Sequence, residues 1–171
     1  MRDTESQEAE FAEFMVGRWP WLVRLAYALT GDWGDAEDLA QTAFTKALVS
    51  WPRLRRADDP DAYLRRILLN ANHSRFRKRR VPETGAAPEE QAVTVSDGTA
   101  ELDQRSVLVA ALMELPPRQR AVVALRYWDG LTETQTAAIL GCSAGTVRSQ
   151  ASRALAKLRM SPHLHDGSTS R

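Results

Sequence analysis

The sequence is poor in the residues that most often carry chemistry. A single cysteine, Cys142, in 171 residues excludes an internal disulfide and a CxxC zinc site. A reducing compartment fits that count. Of three histidines, His163 and His165 lie in a tail rich in proline, glycine and serine. They read as incidental rather than as metal ligands. Gly31 and Gly34 lack the GxxxxGK[ST] context of a phosphate-cradling loop. No apolar run approaches the roughly 20 residues that span a bilayer, and the acidic, polar residues 1–13 are unlike a secretory signal. Strand-like alternation is weak throughout. These absences set the expectation of a cytoplasmic protein with no membrane contact, no cofactor, no metal and no catalytic residues.

What is present is charge in blocks. The total of 23 basic and 22 acidic residues conceals the pattern. Residues 1–50 carry a net −5, residues 51–80 a net +7, residues 81–115 a net −6 and residues 116–171 a net +5. Two basic blocks separated by an acidic one suggest two separate contacts with a polyanion. A hydrophobic fraction of 43% is enough for a core.

The apolar residues recur at helical spacing. Phe11, Phe14 and Met15, then Trp21, Leu22, Leu25, Ala26 and Leu29, form a stripe that Pro20 interrupts, predicting a kink or two abutting helices. Ala36, Leu39, Ala40, Ala43, Phe44, Ala47, Leu48 and Trp51 share one face of a second helix, with Asp35 as its expected cap and Pro52 as its stop. Residues 53–59 read as a loop. Asp59 and Pro60 then start a third helix with Tyr63, Leu64, Ile67, Leu68 and Ala71 as its stripe. Residues 81–101 lose periodicity and read as a flexible acidic linker. Helices resume near Leu102, break at Pro116-Pro117, and run again to Trp128 before the Asp129-Gly130 turn. Thr132 and Gln135 form a capping box, Gly141 suits a helix C-terminus, and Ser143 caps a last helix ending near Arg159. Residues 161–171 read as a disordered tail. The expected fold is therefore all-α. Two small helical domains, 1–80 and 102–160, flank the linker, and the second is a helix-turn-helix domain.

Three faces are candidates for function. In the last helix, Val147, Ala151, Ala154, Leu155 and Leu158 form one apolar stripe. Opposite them lie Ser149, Ser152, Arg153 and Ala156, flanked by Arg148, Gln150 and Lys157. Small polar residues edged by cations suit a helix entering a DNA major groove. A solvated hairpin face would share the charge pattern, but not the caps, Gly141 and spacing that favour a helix-turn-helix. The third helix places Asn70, His73 and Phe76 among Arg65, Arg66, Arg75, Arg77, Lys78, Arg79 and Arg80. Cations there could bind phosphate and Phe76 could stack on unpaired bases. The same arginines would equally suit a helix C-terminus as a solubilising end. The second helix exposes Glu37, Asp38, Gln41, Thr42, Thr45 and Lys46. Adjacent acids diverge around a helix and no histidine joins them, so a protein-binding or plainly solvated face fits better than catalysis.

These residues together resemble the extracytoplasmic-function (ECF) sigma factors of bacterial RNA polymerase, particularly an actinobacterial sigma-E-like branch. Residues 34–48 (GDAEDLAQTAFTKAL) resemble the family's polymerase-binding helix. Residues 60–72 (PDAYLRRILLNAN) and the basic run resemble its minus-ten recognition helix. LPPRQR at 115–120 through GTVRS at 145–149 resembles its minus-thirty-five domain. The resemblance implies recruitment rather than catalysis. Asp38, Gln41, Thr42 and Thr45 would meet the clamp helices of the polymerase largest subunit, although family members often carry an acid where Thr42 stands. Asn70 and His73 would meet the melted minus-ten element, and residues 53–59 would capture its flipped base. Arg77, Lys78, Arg79 and Arg80 would hold backbone phosphate. Arg148, Ser149, Gln150, Ser152, Arg153 and Lys157 would face the minus-thirty-five duplex. An anti-sigma protein is a further partner that the family admits, and the factor would join the nucleoid while transcribing. The rival reading, a stand-alone helix-turn-helix regulator, leaves the first 80 residues unexplained.

Overall fold

The computed structural model describes residues 1–80 and 100–165. The expected linker, apart from positions 100 and 101, lies outside the described residues, as do residues 166–171. The first half comprises α1 (Arg2–Thr30), α2 (Trp33–Val49), α3 (Trp51–Leu54) and α4 (Pro60–Arg80). The second comprises α5 (Ala100–Met113), α6 (Pro117–Val123), a π-helical turn (Ala124–Trp128), α7 (Glu133–Leu140), α8 (Ala144–Arg159) and α9 (Pro162–His165). No strand occurs among the described residues, so the chain is all-α.

Helix ends follow local chemistry. The Asp59 carboxylate accepts from the Ala62 amide at 3.0 Å and opens α4. At α7 both bonds of the capping box form: the Gln135 amide donates to Thr132 Oγ1 at 3.1 Å, and the Thr132 amide donates to Gln135 Oε1 at 2.9 Å. Gly141 ends α7 in the left-handed region, and Ser143 Oγ caps α8 by accepting from the Thr146 amide. The second helix departs from expectation. Its cap is Asp32, whose extended backbone lets the carboxylate accept from the Asp35 amide at 2.9 Å. Asp35 is thereby inside the first turn, free to pair elsewhere. Pro20 neither ends nor splits α1, which runs unbroken from Arg2 to Thr30. Packing on both sides of it offsets the lost amide bond: Trp19 stacks on Phe44, and Trp21 hydrogen-bonds across the molecule. Trp51 belongs to the short α3 rather than to α2, and residues 53 and 54 of the expected loop are helical.

One continuous core joins both halves. Leu22, Leu25, Leu29, Leu54, Leu64 and Leu68 from the first half cluster with Leu112, Leu125 and Ala154 from the second. A smaller cluster of Val122, Ala137, Val147 and Ala151 steadies the helix pair α7–α8. Residues 161–165, expected as part of a disordered tail, instead turn back on the body. Ser161 is buried, α9 packs against α5, and His163 Nε2 lies 3.1 Å from a Glu114 carboxylate oxygen.

Gly31 ends α1 at φ 76°, where a side chain is strained. A Cβ there would also sit 2.7 Å from the Met113 side chain of the second half. Gly31→Ala should therefore lower stability by about 1–2 kcal/mol, read from the denaturation midpoint. Met113→Ala in the same chain should relieve only the contact part, because the backbone strain stays.

Candidate nucleic-acid interface

The α7–α8 pair presents the face read from the sequence. Val147, Ala151, Ala154 and Leu158 are buried, with Leu155 half-buried beside them. Arg148, Ser149, Ser152, Arg153, Ala156 and Lys157 are exposed, and Gln150 is half-buried. The exposed face therefore carries two short hydroxyls, two arginines and a lysine over two and more turns. Arg148 is tethered: its guanidinium donates to Glu133 Oε2 at 3.0 Å. Glu133, at the start of α7, also lies 4.0 Å from Arg126. Arg153 is exposed on this face. Truncation of Arg153 to alanine should weaken binding to a cognate duplex by about 1–3 kcal/mol, measured by anisotropy at fixed salt. Arg148→Ala should cost less, since Glu133 already engages that side chain.

On α4 the structure separates the basic run into free and engaged members. Asn70, His73, Arg77 and Lys78 are exposed. Arg75 pairs with Asp35 at 2.6 Å, and Arg79 reaches the same carboxylate at 3.5 Å. Burial alone would raise the Asp35 carboxyl, but Arg75 and Arg79 outweigh it and hold it below its ordinary value. These pairs therefore persist at neutral pH and are lost only as pH falls through that lowered value. Arg79, expected to hold phosphate, thus already shares an internal acid, while its side chain remains 65% exposed. Arg80 closes the helix, and its side chain lies outside the described residues. Phe76 is half-buried with the Arg120 guanidinium 5.7 Å from its ring centroid, so it is a packing residue here rather than an open stacking platform.

The α2 face is open. Asp38, Gln41, Thr42, Thr45 and Lys46 line a shallow cleft of about 410 Å³. Thr42 and Thr45 donate their hydroxyls to the carbonyls of Asp38 and Gln41, one turn back. That occupies their hydroxyl protons and leaves Asp38, Gln41 and Lys46 as the open polar side chains of this face. Leu48 and Val49 at its end are 49% and 82% exposed. Such a surface suits a partner helix better than a small molecule.

Four residues matter more than the sequence suggested. Arg120, 7% exposed, donates to the carbonyls of Leu29, Leu112, Met113 and Leu115. It thus completes the carbonyls at the C-termini of α1 and α5, where the Leu112 carbonyl also accepts from the Leu115 amide at 3.1 Å. Burial pushes its guanidinium below its ordinary range. Trp21, Arg65 and Asp129 form a second tie between the halves.

Comparison with known proteins matches these units to named families. Residues 16–81 match the Sigma-70 region 2 model and residues 105–158 the Sigma-70, region 4 model. The RNA polymerase sigma-E factor of Streptomyces avermitilis is 41% identical over 152 residues, covering 88% of this chain and 83% of that protein. The ECF RNA polymerase sigma factor SigM of Mycobacterium tuberculosis is 35% identical over 147 residues, covering 85% and 74%. Among solved structures, the sigma factor RpoE of Bartonella quintana, bound to the anti-sigma factor NepR, superposes with a TM-score of 0.68 at 27% identity, covering 88% and 95%. CnrH, in complex with the cytosolic domain of CnrY, shares the fold at TM-score 0.65 and 23% identity, covering 95% and 91%. A region 2 unit followed by a region 4 unit defines a transcription factor of the sigma-70 class. Within that class, the chain belongs to the extracytoplasmic-function sigma factors of bacterial RNA polymerase.

Proposed function

We propose that the chain binds core RNA polymerase and directs it to promoters with two recognition elements, each read by one half. The observation that carries this reading is the presence of two exposed basic surfaces, on α4 and α8, together with an exposed acidic and amide face on α2. Residues 1–80 serve polymerase binding and the melted minus-ten element, and residues 102–160 serve the minus-thirty-five duplex. Asp38, Gln41, Thr42 and Thr45 meet the polymerase clamp helices. Asn70 and His73 read an unpaired base, while Arg77, Lys78, Arg79 and Arg80 hold backbone phosphate. Arg148, Ser149, Gln150, Ser152, Arg153 and Lys157 face duplex, and their short hydroxyls suit readout of DNA shape as well as base edges. Residues 81–101 supply an acidic connection that mimics nucleic-acid charge.

The factor performs no chemistry of its own: polymerase makes the bonds, and the factor lowers the cost of opening the duplex by capturing an unpaired base. No described helix is long and apolar enough to cross a membrane, and action on promoter DNA places the protein in the cytoplasm, at the nucleoid while transcribing. An anti-sigma protein, like the NepR bound to the Bartonella quintana RpoE, is a third partner. Gel filtration with core polymerase tests the reading. Co-elution is expected, weakened by Asp38→Ala with Gln41→Ala; a chain that elutes alone while still binding duplex would support a stand-alone regulator instead.

A further inference from the structure

We infer that Glu133 is a positioning residue for duplex recognition: it holds Arg148 as a reader of base edges and keeps it from acting as a free cation toward phosphate. Glu133 itself lies on α7, and its role rests on the duplex-binding reading of α8.

An acid beside a DNA-facing helix costs affinity, because phosphate repels it, so any gain must lie in selectivity. Glu133 opens α7 and stands between two arginines. Its Oε2 accepts from Arg148 Nη2 at 3.0 Å across the helix pair, and its Oε1 lies 4.0 Å from Arg126 Nη2. Arg126 is the fixed end of this row. It is half-buried, donates to the Leu131 carbonyl at 2.6 Å, and lies 5.3 Å from the Tyr127 ring centroid. Arg148 is the outer end, with its side chain 69% exposed. All three residues belong to the second half, and the pairing needs no movement of the core.

The place of Arg148 on α8 identifies what it meets. It follows the buried Val147 by one residue and precedes the exposed Ser152 by four, so it borders the exposed face in the second turn of the helix. The N-terminal turns of a recognition helix are those that contact base edges. A guanidinium carries five N–H groups, so the bond to Glu133 leaves a fork for two acceptors of one base edge. Without the acid, the same long side chain would reach backbone phosphate on any sequence. The carboxylate thus exchanges a phosphate contact for a fixed approach to a base.

The test is binding of the full chain, alone and with core polymerase, to two fluorescein-labelled duplexes across a salt series. One is selected by the wild-type chain from a random pool, and the other is poly(dI-dC), which lacks the selected code. Glu133→Ala should bind poly(dI-dC) about threefold more tightly, with a log–log salt slope steeper by about 0.9, the value for one added duplex phosphate contact. Its preference for the selected duplex should fall about tenfold, the loss expected of one base-edge contact. Glu133→Gln keeps an acceptor for Arg148 and should retain part of that preference. Should Glu133→Ala fail to fold, the fall is read from Glu133→Gln, smaller and in the same direction. Arg148→Ala should also lower the preference, and adding Glu133→Ala to it should lower it no further, because the acid acts through the arginine. An unchanged preference in the Glu133 variants, or a further loss in the Arg148→Ala background, overturns the positioning role while leaving the duplex reading of α8 intact. Failure of the wild-type chain to select any duplex, alone or with core polymerase, overturns that reading and the role together.

Discussion

Replacement of Arg120 by methionine is expected to lower the stability of the chain by about 3 kcal/mol, the largest single effect outside the leucine core. Methionine keeps much of the volume but donates nothing. The carbonyls of Leu29, Leu112, Met113 and Leu115 would then lose their shared donor, although the Leu112 carbonyl keeps the Leu115 amide. Three of these end α5 or the turn after it, and one ends α1, where no further amide is available to complete the helical ladder. An unsatisfied buried carbonyl costs about 1–3 kcal/mol, and relief from burying the guanidinium offsets only part of the sum. Arg120→Lys should fall between, because an ammonium cannot span the same fork of acceptors. Urea denaturation checks the expectation. The midpoint should drop with little change in slope, and a loss below about 1 kcal/mol would show that water replaces the guanidinium readily.

Asn70→Ala is expected to reduce promoter opening by about 10- to 100-fold, equivalent to about 1.4–2.8 kcal/mol, with core polymerase affinity unchanged. Asn70 is exposed on α4, one turn from both Arg66 and His73, and it does not line the open cleft of α2. Its amide supplies both a donor and an acceptor, which alanine lacks. The loss should therefore appear where an unpaired base must be held. Permanganate reactivity of promoter thymines would report opening, and gel filtration would report core binding. Equal losses in both measurements would place Asn70 in the polymerase interface or in the fold instead.

The parts of the fold legible in the sequence were those decided by neighbours in the chain. Asp59, Thr132 with Gln135, and Ser143 were readable because each cap bonds to an amide three residues on, and Gly141 because its left-handed turn returns its amide to the Ala137 carbonyl. The buried stripe of α8 was readable because helical spacing alone separates Val147 and Ala151 from Ser149 and Arg153. Asp32 and Asp35 were not distinguishable on that basis, since each precedes the same apolar run. The left-handed Gly31 and the extended Asp32 decide the matter. Pro20 misled because its cost is local while the packing of Trp19 and Trp21 is not.

The π-helical turn was hidden for a similar reason. Its bond from the Asp129 amide reaches back five positions to the Ala124 carbonyl, and Trp128 and Leu131 beside it pack on the core. The candidate faces on α2, α4 and α8 were visible as polar residues opposite apolar stripes. The engagement of Arg79 by Asp35, of Arg148 by Glu133 and of Arg65 by Asp129 was not, because each joins separate helices. Arg65 read as one cation in a run, and Asp129 as a turn residue. Only the fold brings the two together.

The most direct measurement is run-off transcription by core polymerase with and without the full chain, on fragments of the source genome. The expected result is a small set of discrete start sites that require the chain, each preceded by two elements at constant spacing, and lost with Asn70→Ala and weakened with Arg153→Ala. A transcript pattern identical to that of core polymerase alone, obtained with a folded chain that still binds duplex, would contradict the account.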